Sequence, residues 1–235
     1  MYRIAFLTAG ALTLLACSDI ASEDLHTSGI YADILVSADG SGDSEVSAVL
    51  RAGGALSTTF VELTGDDQLT ATYKEETKAL TQTSLGTLHS FSASFDSADV
   101  GTDYLVALER SVDAGAPDTV IQLPEPFELT ELEITEFSRS GEDLTIEWTP
   151  SGEGDPMYIT VDGDCFLLWS EDISGDPGTF TVEAGSLEAV GETATNCEAT
   201  VSLRRVRSGT LDSGFGEGGS ALGQQERELT IQSTP

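Results

Sequence analysis

From Ile30 onward the chain alternates apolar and polar residues with a period of two. Ile34, Val36 and Ala38 share one parity, and Val46, Ala48 and Leu50 share another beyond the turn Gly40-Ser41-Gly42-Asp43. Successive side chains of an extended chain point to opposite faces, so each set lines one buried face and the pair reads as a hairpin. The alternation continues over residues 59–63, 69–73, 88–95, 104–108 and 119–123, with turn residues such as Gly65-Asp66-Asp67 between them. Amphipathic runs of a dozen residues at helical spacing do not compete with it. Residues 30–124 therefore predict one antiparallel β-sandwich.

The segment Leu123-Pro124-Glu125-Pro126-Phe127 interrupts this pattern, because proline cannot donate to a ladder and restricts the residue before it. A boundary is placed there, and a second series follows at 132–137, 144–148, 158–161, 165–169, 179–182, 199–206 and 229–232. Residues 125–235 predict a second sandwich, so the expected fold is all-β, two antiparallel β-sandwiches in tandem. Within the second half, Leu144-Thr145-Ile146-Glu147-Trp148-Thr149-Pro150 followed by Tyr158-Ile159-Thr160-Val161 resembles the fibronectin type III and broader immunoglobulin-like group. That resemblance implies that Trp148 is a buried core residue on an early strand. The chain departs from the group by having no tyrosine in Ala199-Thr200-Val201-Ser202-Leu203, with Cys197 just ahead of it instead.

Upstream of these series lie one positive charge at Arg3, an apolar run from Ile4 to Leu15, and the small residue Ala16 directly before Cys17. This is the layout of a secretory signal, and the run is well short of the ~20 residues that a permanent membrane-spanning helix needs. Leu14-Leu15-Ala16-Cys17 resembles the bacterial lipoprotein box. The resemblance implies that residues 1–16 are removed and that Cys17 is lipidated through its thiol, with several acyl chains giving stable anchorage. In the same pattern Ser18, standing where an aspartate would retain a lipoprotein at the inner membrane, implies the outer membrane of a cell envelope. The polar residues 17–29, short of aromatics, read as a flexible stalk of about 20 Å.

Charge narrows the range of partners. The chain has 10 basic and 41 acidic residues, a formal net charge of −31, and loss of Arg3 with the signal would make the remainder more acidic still. Nucleic acid is excluded as a partner, and so is adsorption to anionic lipid through a basic patch. The covalent lipid is left as the link to the membrane.

Candidate chemistry is sparse. With Cys17 lipidated, Cys165 and Cys197 are the remaining cysteines, and in an oxidising compartment they are expected to form a disulfide that stabilises by about 3–4 kcal/mol. The two histidines are His26, in the stalk, and His89, inside a predicted strand; no Gly-x-Ser-x-Gly elbow presents a serine to either. Gly214-Phe215-Gly216-Glu217-Gly218-Gly219 has the letters of a dinucleotide fingerprint, but it lies between predicted strands and reads as a hairpin loop. Asp39, Ser41, Asp43 and Glu45 space oxygens at alternate positions, as a weak calcium loop would, although Ser44 and Leu50 break the helical calcium-loop pattern. Arg204, Arg205 and Arg207 form the one basic cluster, expected to pair with surrounding acids. Arg205 shares parity with Leu203, which predicts that the strand bulges there or that burial ends.

The expectation is a non-enzymatic, lipid-anchored interaction or spacer module of the envelope. It has no catalytic residue and no cofactor, and an envelope protein or glycan is its partner. The alternative is an envelope carbohydrate-binding module or a hydrolase using loop carboxylates.

Overall fold

The computed structural model describes residues 18–191 and 195–235; the signal segment and Cys17 lie outside them. In the first half the strands are β1 (Ser18–Ala21), β2 (Ile30–Ala38), β3 (Ser44–Ala52), β4 (Thr59–Glu62), β5 (Gln68–Tyr73), β6 (Glu76–Ala79), β7 (Thr81–Leu85), β8 (Leu88–Phe95), β9 (Asp103–Glu109) and β10 (Ala116–Gln122). The second half contributes β11 (Glu136–Ser138), β12 (Leu144–Glu147), β13 (Met157–Asp162), β14 (Trp169–Ile173), β15 (Thr179–Val182), β16 (Cys197–Ser208) and β17 (Ser220–Thr234). The fold is all-β, as the alternation predicts. Burial in β2 switches at every residue, with Ile30, Ala32, Ile34, Val36 and Ala38 turned inward. Among the described residues no helix is long and apolar enough to cross a membrane.

Two hydrophobic cores meet at the proline segment. In the first, β2, β3 and β8 pack over the four-stranded sheet β10-β9-β5-β6, burying Ile34, Val46, Leu69, Phe91, Tyr104 and Ile121. In the second, β13 and β16 with the end of β17 pack over the two-stranded sheet of β12 and β15, burying Ile146, Trp148, Ile159, Val201 and Ile231. Trp148 is a core residue, as the fibronectin-like resemblance implies.

One long hairpin joins the cores. β16 and β17 pair without a register break from Cys197↔Ser233 to Ser208↔Leu222, and the first residues of β17, Ser220 to Gln225, also pair in parallel with β2. A single sheet therefore runs β1-β4-β3-β2-β17-β16-β13-β14 through both halves. The loop between β16 and β17 closes the first core: Phe215 and Ala221 are buried there, although the boundary at 124/125 assigns them to the second domain. The glycines explain how the hairpin gets so close. A Cβ at Gly209, Gly219 or Gly223 would run into the carbonyl oxygens of Val120, Ala32 and Gln122 respectively. The apparent nucleotide fingerprint is thus a packing loop, with the Gly216 N–H donating to the Ile30 carbonyl at 2.8 Å.

The reading of residues 17–29 as a flexible stalk is corrected. Ser18 to Ala21 form β1, paired in parallel with β4, and two short 3-10 turns follow in which Ser22 and Thr27 are buried. Polar composition misled here, because the segment is held by polar contacts. The buried guanidinium of Arg110 donates to the Ser22 carbonyl at 2.5 Å, the Leu25 carbonyl at 3.0 Å and Thr27 Oγ1 at 2.9 Å, while Asp67 accepts from its Nε at 3.0 Å. Two strand placements also shift. Ordered pairing in the 132–137 region starts only at Glu136, and β14 starts only at Trp169, the residues before it making a single antiparallel bridge, Phe166↔Ala189.

Candidate functional site

The densest polar cluster lies where the halves join. Arg205 sits on the inward parity of β16 and is fully buried, in register with Met157 and Gln225; the bulge or loss of burial expected there does not occur. A buried guanidinium is costly unless paired and hydrogen-bonded. Here Nη2 donates to Asp176 Oδ2 at 2.7 Å and to the Thr149 carbonyl at 3.1 Å, and Nη1 donates to the carbonyls of Glu125 and Pro126 at 2.7 and 3.1 Å. Its plane lies over the Phe127 ring at 5.0 Å, with Arg227 near the same ring at 5.3 Å. Prolines leave a segment short of donors, and Arg205 supplies donors from outside to hold its carbonyls.

Asp176 completes this node. It also accepts from Trp148 Nε1 at 2.6 Å and from the Ser151 N–H at 2.7 Å. Burial pushes its carboxyl up, but the Trp148, Ser151 and Arg205 donors outweigh that and hold it below the ordinary carboxylate value. Arg207 pairs with Asp155 through two bonds, Nη2 at 2.6 Å and Nε at 3.1 Å, which hold the guanidinium above its ordinary value. Arg204 reaches Thr160 Oγ1 at 3.2 Å. The basic cluster is therefore committed largely to internal acids and carbonyls.

Cys165 and Cys197 form a disulfide, with Cα atoms 5.8 Å apart. It ties the turn after β13 to the start of β16, and Arg139 lies beside it, donating to Ser233 Oγ at 2.9 Å. Asp39, Ser41, Asp43 and Glu45 line an open depression of about 380 Å³ together with Glu226. The loop is stabilised from within: the Ser41 N–H donates to Asp39 Oδ1 at 2.9 Å, and the Asp43 N–H to Ser41 Oγ at 3.3 Å. Those Ser41 bonds hold Asp39 below its ordinary value, with Arg227 contributing from beneath the turn. The guanidinium lies so close under Gly40 that a Cβ there would be 2.8 Å from its Cζ. The Arg227 guanidinium thus lies beneath the turn, donating to the Ala38 and Glu226 carbonyls rather than to its carboxylates.

His89 proves to be the centre of a grouping that sequence reasoning missed. Among the described residues, one group of metal-ligating types has its ligand atoms within 4.8 Å of one another: Asp19 on β1, Glu62 on β4 and His89 on β8. His89 is buried, its Nε2 stands 3.5 Å from Asp19 Oδ2, and its Nδ1 faces Ser84 Oγ at 2.8 Å and Gln82 Nε2 at 3.4 Å. The residues are 70 apart at the extremes, and Asp19 belongs to the segment read as a stalk, so no local spacing could have signalled the group. A separate cleft of about 700 Å³ is lined by Tyr73, Lys74, Glu75, Glu76, Phe95, Asp96 and Ser97. Its aromatic rings are taken up by the core: Tyr73 stacks on Tyr104 at 4.4 Å and meets Phe95 edge-on at 5.7 Å.

Comparison with known proteins yields no matching family model and no matching curated protein. Solved structures that resemble the chain include the chicken CNTN1 FN1-FN3 domains (12% identity, 87% of this chain and 68% of that one, TM-score 0.22). The Yersinia pseudotuberculosis adhesin InvE is similar at 13% identity, over 85% of this chain and 58% of that one, with TM-score 0.21. Bacteroides ovatus SGBP-B, of a mixed-linkage glucan utilization locus and in complex with a mixed-linkage heptasaccharide, is similar at 10% identity, over 97% and 69%, with TM-score 0.22. Superpositions this loose carry no argument about function. What the sheets themselves establish is an all-β chain of packed, mostly antiparallel layers around two cores joined by one shared hairpin.

Proposed function

We propose that the chain is a non-enzymatic module of a bacterial cell envelope, held by lipid on Cys17, that presents or spaces a stiff β body at an outer membrane. The observation that carries this reading is the shared hairpin: β17 pairs with β2 in one half and with β16 in the other, and Arg205 clamps the intervening prolines. A tether between independent domains needs no such device, whereas a body that holds two ends at a fixed distance does. The −31 net charge keeps such a body soluble beside an anionic surface, and it supports a covalent lipid over electrostatic adsorption as the link.

Two measurements test the proposal. Replacing Cys17 with Ser should move the protein from the membrane to the soluble fraction of its native host; retention in the membrane would overturn the anchor. Spin labels placed one in each half, at exposed positions Thr83 and Glu171, should give a single narrow distance distribution. A broad distribution would overturn the stiff-body reading.

A further inference from the structure

We propose that Asp19, Glu62 and His89 bind a divalent transition-metal ion of the zinc class, and that this ion staples β1 to the sheet. The argument begins with the three donors. Each comes from a different strand, yet their ligand atoms lie within 4.8 Å of one another. Ligands about 2.0–2.2 Å from a tetrahedral ion are roughly 3.3–3.6 Å apart, and His89 Nε2 already stands 3.5 Å from Asp19 Oδ2.

The imidazole is set as a metal-ligating histidine is set. Its side chain is 5% exposed, so it is locked by packing; with the Nδ1 proton given to Ser84 Oγ at 2.8 Å, in place of the longer 3.4 Å contact in which the Gln82 amide would donate to Nδ1, the Nε2 lone pair faces the two carboxylates. An oxygen partner on the far ring nitrogen is the usual outer-shell support of such a ligand. Among the described ion pairs neither Asp19 nor Glu62 meets a lysine or arginine. Two carboxylates and a neutral imidazole would balance a divalent ion. One nitrogen and two carboxylates favour zinc-class ions over calcium or magnesium, which prefer all-oxygen shells. The side chain of Asp19 is 48% exposed, which gives the ion a way in and leaves room for water as a further ligand.

The consequence is mechanical. β1 is a terminal strand that pairs with β4 alone, through four residue pairs. An ion bound by β1, β4 and β8 together would hold that edge where pairing is shortest. This inference does not depend on the lipid anchor.

The test exploits the presence of just two histidines, His26 and His89. The full chain, labelled with 15N-histidine and stripped of metal, is titrated with Zn²⁺ and separately with Ca²⁺. One equivalent of Zn²⁺ should move the His89 Nε2 resonance into the metal-bound range, with His26 unmoved, and should slow amide exchange in β1; Ca²⁺ should do neither. Asp19→Asn and Glu62→Gln, at positions that are not fully buried, should each weaken Zn²⁺ binding at least tenfold with circular dichroism unchanged. An unmoved His89 at one equivalent would overturn the site. So would undiminished affinity in the double variant Asp19→Asn/Glu62→Gln, which would mark the binding as diffuse association with surface carboxylates.

Discussion

Arg205 occupies a place where the alternation of β16 calls for an apolar side chain, between Leu203 and the proline segment. Its charge is tolerated because Asp176 neutralises it and three carbonyls accept from Nη1 and Nη2, which leaves only the buried Nε without a partner among the described residues. Removing one member of such a buried pair leaves the other uncompensated, which typically costs about 3–5 kcal/mol. Asp176→Asn should therefore lower the urea midpoint by that equivalent. Arg205→Lys should not rescue Arg205→Ala, since a point charge cannot serve the separate acceptors of a planar fork. Full stability in Arg205→Lys would show that charge alone matters there. The same pairings set the response to pH. Asp67 is also held below its ordinary value: burial raises it, but the Ser111 N–H, Ser22 and Arg110 outweigh that. Carboxylates with lowered folded pKa contribute stability that is present above about pH 3.9 and lost as pH falls through their folded values. At the other end, burial pushes the Tyr104 phenol up to about 12. Its contribution is present below the unfolded value of about 10 and lost as pH rises above it. Equilibrium unfolding across pH should show a plateau bounded by these two falls, with Asp176→Asn flattening the acid limb.

At the scale of strands, legibility followed locality. β2, β3, β5 and β9 stand where alternation puts them, because each has one buried and one wetter face and so carries the period-two signal. β1, β6 and β7 were not legible, since none carries more than weak alternating burial; each is held by its neighbours rather than by an apolar face of its own. The length of β17 was hidden for a different reason. Its first part, Ala221 to Gln225, buries two glutamines and a glycine rather than an apolar row, and its partner β2 is nearly two hundred residues away in sequence. The candidate site divides the same way: the disulfide is expected from the cysteine count once Cys17 is set aside, whereas the Asp19–Glu62–His89 group exists only because β1 folds back onto the sheet. Two sandwiches in tandem would fold as separate fragments, and the shared hairpin argues against that. Residues 27–123 alone would leave the β2 edge unpaired and lack Phe215 and Ala221. That fragment should give no cooperative denaturation transition, while the full chain does. A cooperative transition in the isolated fragment would show that β17 is dispensable to the first core.

For the molecule as a whole, the question is whether two cores make two folding units. Separate sandwiches on a linker would unfold independently, and loss of the Cys165–Cys197 bridge would touch the second alone. In this chain the sheet is continuous, the linker carbonyls are held by Arg205 from β16, and the β16–β17 loop is part of the first core. Unfolding β16 and β17 strips the first core of a strand and of Phe215, so the two halves should lose structure together. The disulfide joins cysteines 32 positions apart within the second half, and its removal should cost on the order of 2–5 kcal/mol. Both tryptophans, Trp148 and Trp169, lie in the second half, so their fluorescence follows that half, while amide exchange in β9 follows the first. In the Cys165→Ser/Cys197→Ser variant the two signals should shift to lower urea by the same amount and remain coincident. If fluorescence shifts while exchange in β9 keeps its wild-type protection, the halves are energetically separate, and the shared hairpin is a contact rather than a coupling.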